Sequence, residues 1–146
     1  MSVADEMTLS QRGFQVRYTP NPSGFSAEFY AHCARGELRF QRCGSCQTWR
    51  HPPRVTCPRC GSEEWTWQRS SGRGTLYSWT VTHQALAPGF ADDVPYAVVV
   101  VELEEGVRLV SALRGLRPDQ LVLDLPLVVE FAPVSESLAL HYFRPG

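Results

Sequence analysis

The chain has 146 residues, 43% apolar and 20% charged, a balance that suits a globular protein and excludes a largely disordered or fibrous one. Its net charge of −1 gives the whole molecule no electrostatic reason to seek nucleic acid or an anionic membrane, and no run approaches the roughly 20 apolar residues of a spanning helix. The charge is unevenly spread: residues 35–73 carry eight arginines against three glutamates, whereas residues 74–146 carry four arginines against nine acids.

The opening stretch, MSVADEMTLS, contains acids and no apolar segment, so a secretory leader is not expected and the cysteines are read as reduced, in a cytoplasmic protein. Residues 1–22 lack a steady period and include Pro20 and Pro22, which reads as a flexible arm. Ser23 to Gly36 changes pattern. Ser26 is placed as the cap, Phe25, Phe29 and Cys33 recur at four-residue spacing, and Gly36 stops a short amphipathic helix. Cys33 shares the face of two phenylalanines and reads as a buried thiol rather than a nucleophile or a fifth ligand.

Leu38 and Phe40 alternate with Arg39 and Gln41 in a short strand that leads into Cys43-Gly-Ser-Cys46. Ten residues later comes Cys57-Pro-Arg-Cys60. Two such knuckles, each pointing two sulfurs at one point, make a tetrahedral four-thiolate site with no open position, as structural zinc requires. Iron is the rival metal, in a rubredoxin-like electron carrier. The module is too short to bury a sufficient core, so metal binding of order 10 kcal/mol is what folds it. Trp49, Trp65 and Trp67 are expected to cover it. Zinc with four thiolates subtracts two charges and leaves this region positive. All fourteen basic residues are arginine, which codon usage explains as readily as selection for bidentate recognition.

Ser70-Ser71-Gly72-Arg73-Gly74 has a linker's composition and sets the expected division into residues 23–71, helix plus ribbon, and residues 72–146. The second unit reads as five strands: Thr75 to His83, Pro95 to Leu103, Val107 to Leu113, Leu127 to Val134 and Leu138 to Phe143. The first two look buried on both faces. Glu104-Glu105-Gly106 is a hairpin turn, and Arg117 to Leu121 is a short helical turn where a Greek-key OB barrel places its connecting helix. The fold class is therefore mainly β: a short helix, a rubredoxin-like zinc ribbon and a five-stranded OB-fold barrel.

Candidates for catalysis are few. No phosphate loop, nucleophile elbow or paired-histidine helix occurs, so no catalytic residue is assigned. His32, His51, His83 and His141 are scattered; His83 stands out because it precedes a long loop, Gln84 to Val94, that carries Phe90, Asp92 and Asp93. An OB barrel commonly binds oligonucleotides, but the acidic balance of this one argues against it, and the basic ribbon is the remaining nucleic-acid candidate.

From about Phe25 to Pro145 the chain resembles the acyl-CoA-associated proteins in which a rubredoxin-like zinc ribbon precedes an OB fold. The carriers are Phe29-Tyr30, Gly36-Glu37-Leu38, Arg42-Cys43-Gly44-Ser45-Cys46, Trp49 with Pro52-Pro53-Arg54, Cys57-Pro58-Arg59-Cys60-Gly61-Ser62, Ser71 to Ser78, Pro95-Tyr96 and Phe143-Arg144-Pro145. Tyr30 stands where that family often has Trp, and Gln47 where Gly is frequent. The resemblance implies a non-catalytic accessory subunit of a thiolase-fold enzyme (a thiolase, retro-aldol lyase or acyltransferase) or of a hot-dog-fold acyl-CoA hydratase. Given that reading, Arg50, Arg54, Arg59 and Arg73 are candidates for the coenzyme A phosphates with Trp49 as an adenine stack, or for docking on an acidic partner while the loop from Gln84 to Val94 reaches towards its active site, with His83 and Phe90 as further candidate contacts. A stand-alone acyl-CoA-binding or nucleic-acid-binding module is the alternative.

Overall fold

A computed structural model describes residues 19–146, so most of the arm expected over residues 1–22 lies outside the described residues. The first element is helix α1 (Gly24–Ala34), which buries Phe29 and Cys33. Its start differs from expectation. Ser23, not Ser26, takes the N-cap position, with extended backbone and no side-chain cap bond, while its carbonyl accepts the Ala27 N–H at 3.4 Å. Burial of one face, rather than a capping hydroxyl, sets this boundary. The end is as expected. Gly36, at φ +77°, donates to the Cys33 carbonyl and Glu37 N–H to that of His32, the double closure of a Schellman stop.

Strands β1 (Arg39–Cys43), β2 (Trp49–Arg50) and β3 (Trp65–Arg69) form an antiparallel sheet in the order β2-β1-β3. Gln41, expected to point outwards, is as fully buried as Phe40. The reason is a polar staple. Its Oε1 accepts from Arg50 Nε at 2.9 Å and from the Arg54 N–H at 2.7 Å, while Arg50 Nη2 donates to the Arg54 carbonyl at 2.9 Å. Buried amide and guanidinium groups persist where such bonds offset their desolvation.

Strand β3 passes into β4 (Arg73–Thr82) through a segment held at several points. Ser70 is 5% exposed, donates its N–H to the Leu38 carbonyl at 2.7 Å and bonds through its hydroxyl to Glu105. At Gly74 a Cβ would stand 2.3 Å from the Glu102 carbonyl oxygen on the neighbouring strand. Gly74→Ala is therefore expected to push β4 from its partner and to cost at least ~2–3 kcal/mol, read as a lower denaturant midpoint with unchanged zinc content. A midpoint within error of the parent would contradict that close approach.

The remaining strands are β5 (Tyr96–Leu103), β6 (Arg108–Ala112), β7 (Pro126–Ser135) and β8 (Leu138–Pro145), paired with β4 in the order β6-β5-β4-β7-β8. A parallel bridge from Leu113 to Phe143, with the Arg114 N–H donating to the Phe143 carbonyl at 2.8 Å, brings the ends together. That closure is the OB-type barrel expected from the strand count. The short 3₁₀ turn Pro118–Gln120 sits between β6 and β7, also as expected. Strands β4 and β5, expected to be buried on both faces, are buried on one: Val99 and Val101 are sealed, whereas Tyr77 is 44% and Val98 38% exposed.

A single apolar core joins the two halves. Phe29, Cys33, Leu38 and Phe40 belong to the same buried cluster as Leu76, Val99, Leu127 and Phe143. Helix α1 mediates the join, with the Phe29 ring 5.0 Å from His51 of the ribbon and 5.8 Å from His141 of β8. The ribbon thus borrows the barrel's core, which its own length could not supply.

Candidate functional site

The four knuckle cysteines converge. Their sulfurs all lie within 4.8 Å of one another, with Cys43 to Cys60 and Cys46 to Cys57 each 3.6 Å apart. A tetrahedron with Zn–S bonds of about 2.3 Å has edges of about 3.8 Å, so these residues fit zinc without rearrangement. The knuckles are near-copies: the Gln47 N–H donates to the Cys43 carbonyl at 3.1 Å and the Gly61 N–H to that of Cys57 at 2.9 Å. The Ser45 and Cys46 N–H groups approach Cys43 Sγ at 3.4 Å, donors that stabilise a thiolate. Thr48 lies 3.1 Å from Cys46 Sγ and its hydroxyl and N–H hold that thiol down at about 6. Cys33 stays apart, and burial pushes its thiol up to about 12, so it is a packing residue as expected.

The duplication explains one departure in the sequence. Gly61 adopts φ +77° and its counterpart Gln47 adopts +65°, a left-handed conformation that costs a residue with a Cβ. Gln47→Gly is expected to raise stability by ~0.5–1 kcal/mol at constant zinc stoichiometry, and a lower melting temperature would contradict it.

Around the metal site the predicted side chains separate. Arg54, Arg59 and Arg73 are exposed, whereas Arg50 is 5% exposed and spent on the Gln41 staple. Trp49 is half-buried under the Arg42 guanidinium, whose carbon lies 5.0 Å from the ring centroid. Trp65 and Trp67 meet edge to face at 5.2 Å, with Phe25 against Trp65 at 5.1 Å, so they cover the ribbon as expected. His83 is exposed, and Phe90 tilts against Tyr96 at 5.8 Å on the wall of a separate cavity.

Residues 31–66 match the family described as the ChsH2 rubredoxin-like zinc ribbon domain, and residues 67–132 match the ChsH2 C-terminal OB-fold domain. A "DUF35 domain-containing scaffold protein" of Methanocaldococcus jannaschii is 30% identical over 96 residues, which are 65% of this chain and 67% of that protein. The chain belongs to this DUF35 family. The DUF35 chain is also 37% identical over 93% of its length to a "Probable enoyl-CoA hydratase alpha subunit" of Thermomonospora curvata, of which it spans 42%. In three dimensions it resembles a chain of the "Ltp2-ChsH2(DUF35) aldolase", with 38% identity and a TM-score of 0.77 over 87% of this chain and 98% of that one.

One polar pair in this DUF35 chain escaped the sequence reading. Ser111 Oγ lies 2.8 Å from His141 Nδ1 across the point where β6 meets β8. The spacing suits a nucleophile and base, but burial holds His141 down at about 4 and no carboxylate bonds to its ring among the described residues. The pair fastens the barrel seam. Nothing in the sequence signals it, because residues 30 apart are joined only by barrel closure.

Proposed function

We propose that the chain is a non-catalytic accessory subunit of an acyl-CoA-processing complex, docked on a thiolase-fold enzyme that makes or breaks a carbon–carbon bond. The observation that carries this is the likeness to the DUF35 chain of the aldolase, which covers 98% of that chain. The closed four-cysteine site agrees with it, since all four zinc positions are taken by protein and none is left for substrate. The 37% identity to a hydratase alpha subunit favours a second reading, in which the partner is a hydratase.

The exposed arginines 54, 59 and 73 supply the positive face for an acidic partner surface or for coenzyme A phosphates. Trp49, His83 and Phe90 are the remaining candidates for contact with the partner or coenzyme A. Affinity purification of the tagged chain from its host at moderate salt, with mass spectrometry, tests the proposal. A thiolase-fold protein in stoichiometric amount is expected, and Arg54→Glu with Arg59→Glu is expected to cut its recovery at least tenfold. Recovery of a hydratase would select the second reading, and nucleic acid alone would overturn both.

A further inference from the structure

We propose that the cavity on the outer face of β5 and β6, beside β8, is a ligand site for an apolar carboxylate, its hydrocarbon body inside and its carboxylate on Arg114. The cavity holds about 500 Å³, within the roughly 300–1,000 Å³ of small-molecule sites. Its apolar wall comes from Val98, Val110, Ala112, Leu116 and Leu140, with Phe90 of the β4–β5 loop beside them. Val98 and Val110 stand out. Val99, Val101 and Leu109 already fill the barrel, so the alternate residues of β5 and β6 face outwards, where a solvated sheet carries polar side chains. Here Val98 is 38% and Val110 62% exposed, and both border the cavity.

The charged groups on this wall are Asp93 and Arg114, and Arg114 also shares a hydrogen bond with the Tyr142 side chain. Ser111 and His141 bond to each other, and Asp93 has a contact of its own. Arg114 lines the cavity with its guanidinium carbon 3.3 Å from the Tyr142 ring centroid, and it pairs with no carboxylate among the described residues. The acid nearest in its electrostatics, Glu130, is ion-paired with Arg144. A guanidinium keeps its charge even when partly desolvated, and a carboxylate answers that charge through two parallel N–H···O bonds. A neutral alcohol or thioester of the same skeleton offers no such pairing. Apolar walls with a cation that has no carboxylate partner among the described residues therefore select the free acid.

This inference stands apart from the accessory-subunit reading, since partner capture and ligand binding are scored separately. Dodecanoate, dodecanol and dodecanoyl-CoA are titrated into the full-length, zinc-loaded chain by calorimetry, with circular dichroism and zinc content as controls. Dodecanoate is expected to bind in the micromolar range, at least tenfold tighter than dodecanol. Arg114→Gln erases that preference and Arg114→Lys retains part of it. Ala112→Trp fills the cavity and abolishes binding of both, and Val110→Trp does the same from a more exposed position. Equal binding of acid and alcohol, binding unchanged in Arg114→Gln, or no binding of dodecanoate below about 1 mM would overturn the proposal. So would tighter binding of dodecanoyl-CoA that Arg114→Gln leaves unchanged.

Discussion

Replacement of Cys57 by serine is expected to abolish stoichiometric zinc binding and to unfold the chain well beyond the ribbon. Structural zinc contributes on the order of 10 kcal/mol of folding free energy, more than most single domains can lose. Here the loss spreads, because Leu38 and Phe40 lie in one buried cluster with Leu76 and Phe143. Losing the knuckles releases β1, and with it the Phe40 ring that stacks on Phe29 of α1. The measurement is metal content by mass spectrometry beside a thermal melt: one zinc per parent chain, none in Cys57→Ser, and no cooperative transition in the variant. Cys33→Ser is the control, and it keeps its zinc because that thiol lies outside the metal cluster. A Cys57→Ser chain that melted like the parent would refute the structural role, and iron in the parent would revive the electron-carrier alternative.

The second large effect is acid sensitivity. Burial holds both His51 and His141 down at about 4, against 6.5 for a free histidine. His51 is enclosed by Phe29 and Phe40, and His141 by Phe29, Tyr30 and Ser111, so among the described residues neither ring has a carboxylate to welcome a proton. Below pH 6.5 the unfolded chain takes up protons that the folded chain refuses. Stability is therefore complete above about 6.5 and falls as the pH drops from there towards 4. By pH 5 each histidine has contributed roughly 2 kcal/mol to that fall. Denaturant midpoints from pH 7.5 to 5, with zinc release followed in the same samples, should decline before the metal leaves. Exchanging both histidines for glutamine should lower stability at pH 7.5 and flatten the slope. A flat midpoint in the parent, with zinc retained, would refute the assignment.

Much of this architecture was legible because it rests on local rules. Gly36 ends α1 where a left-handed residue was needed, Glu104-Glu105-Gly106 turns β5 into β6, and the knuckle spacing alone places four sulfurs at one point. Side-chain direction was less legible. Gln41 follows Phe40 in an alternating strand, so its burial was hidden: the groups that satisfy it, Arg50 and the Arg54 N–H, arrive from a neighbouring strand and the loop after it. The same contact removes Arg50 from the exposed face where its charge suggested it stood. The run of valines in β5 read as sealed on both sides, yet only its odd-numbered members fill the barrel.

The sequence by itself determined the metal site, the order of elements and the polarised charge, since each depends on residue type and short spacing along the chain. Tertiary structure alone decided three further things: that ribbon and barrel share one core through Phe29, that Ser111 meets His141 at the seam, and that Arg114 borders a largely apolar cavity while pairing with no carboxylate among the described residues. Each is a contact between segments far apart in sequence. Such contacts depend on where barrel closure and helix packing bring side chains together, and neither hydrophobic period nor local propensity encodes that distance.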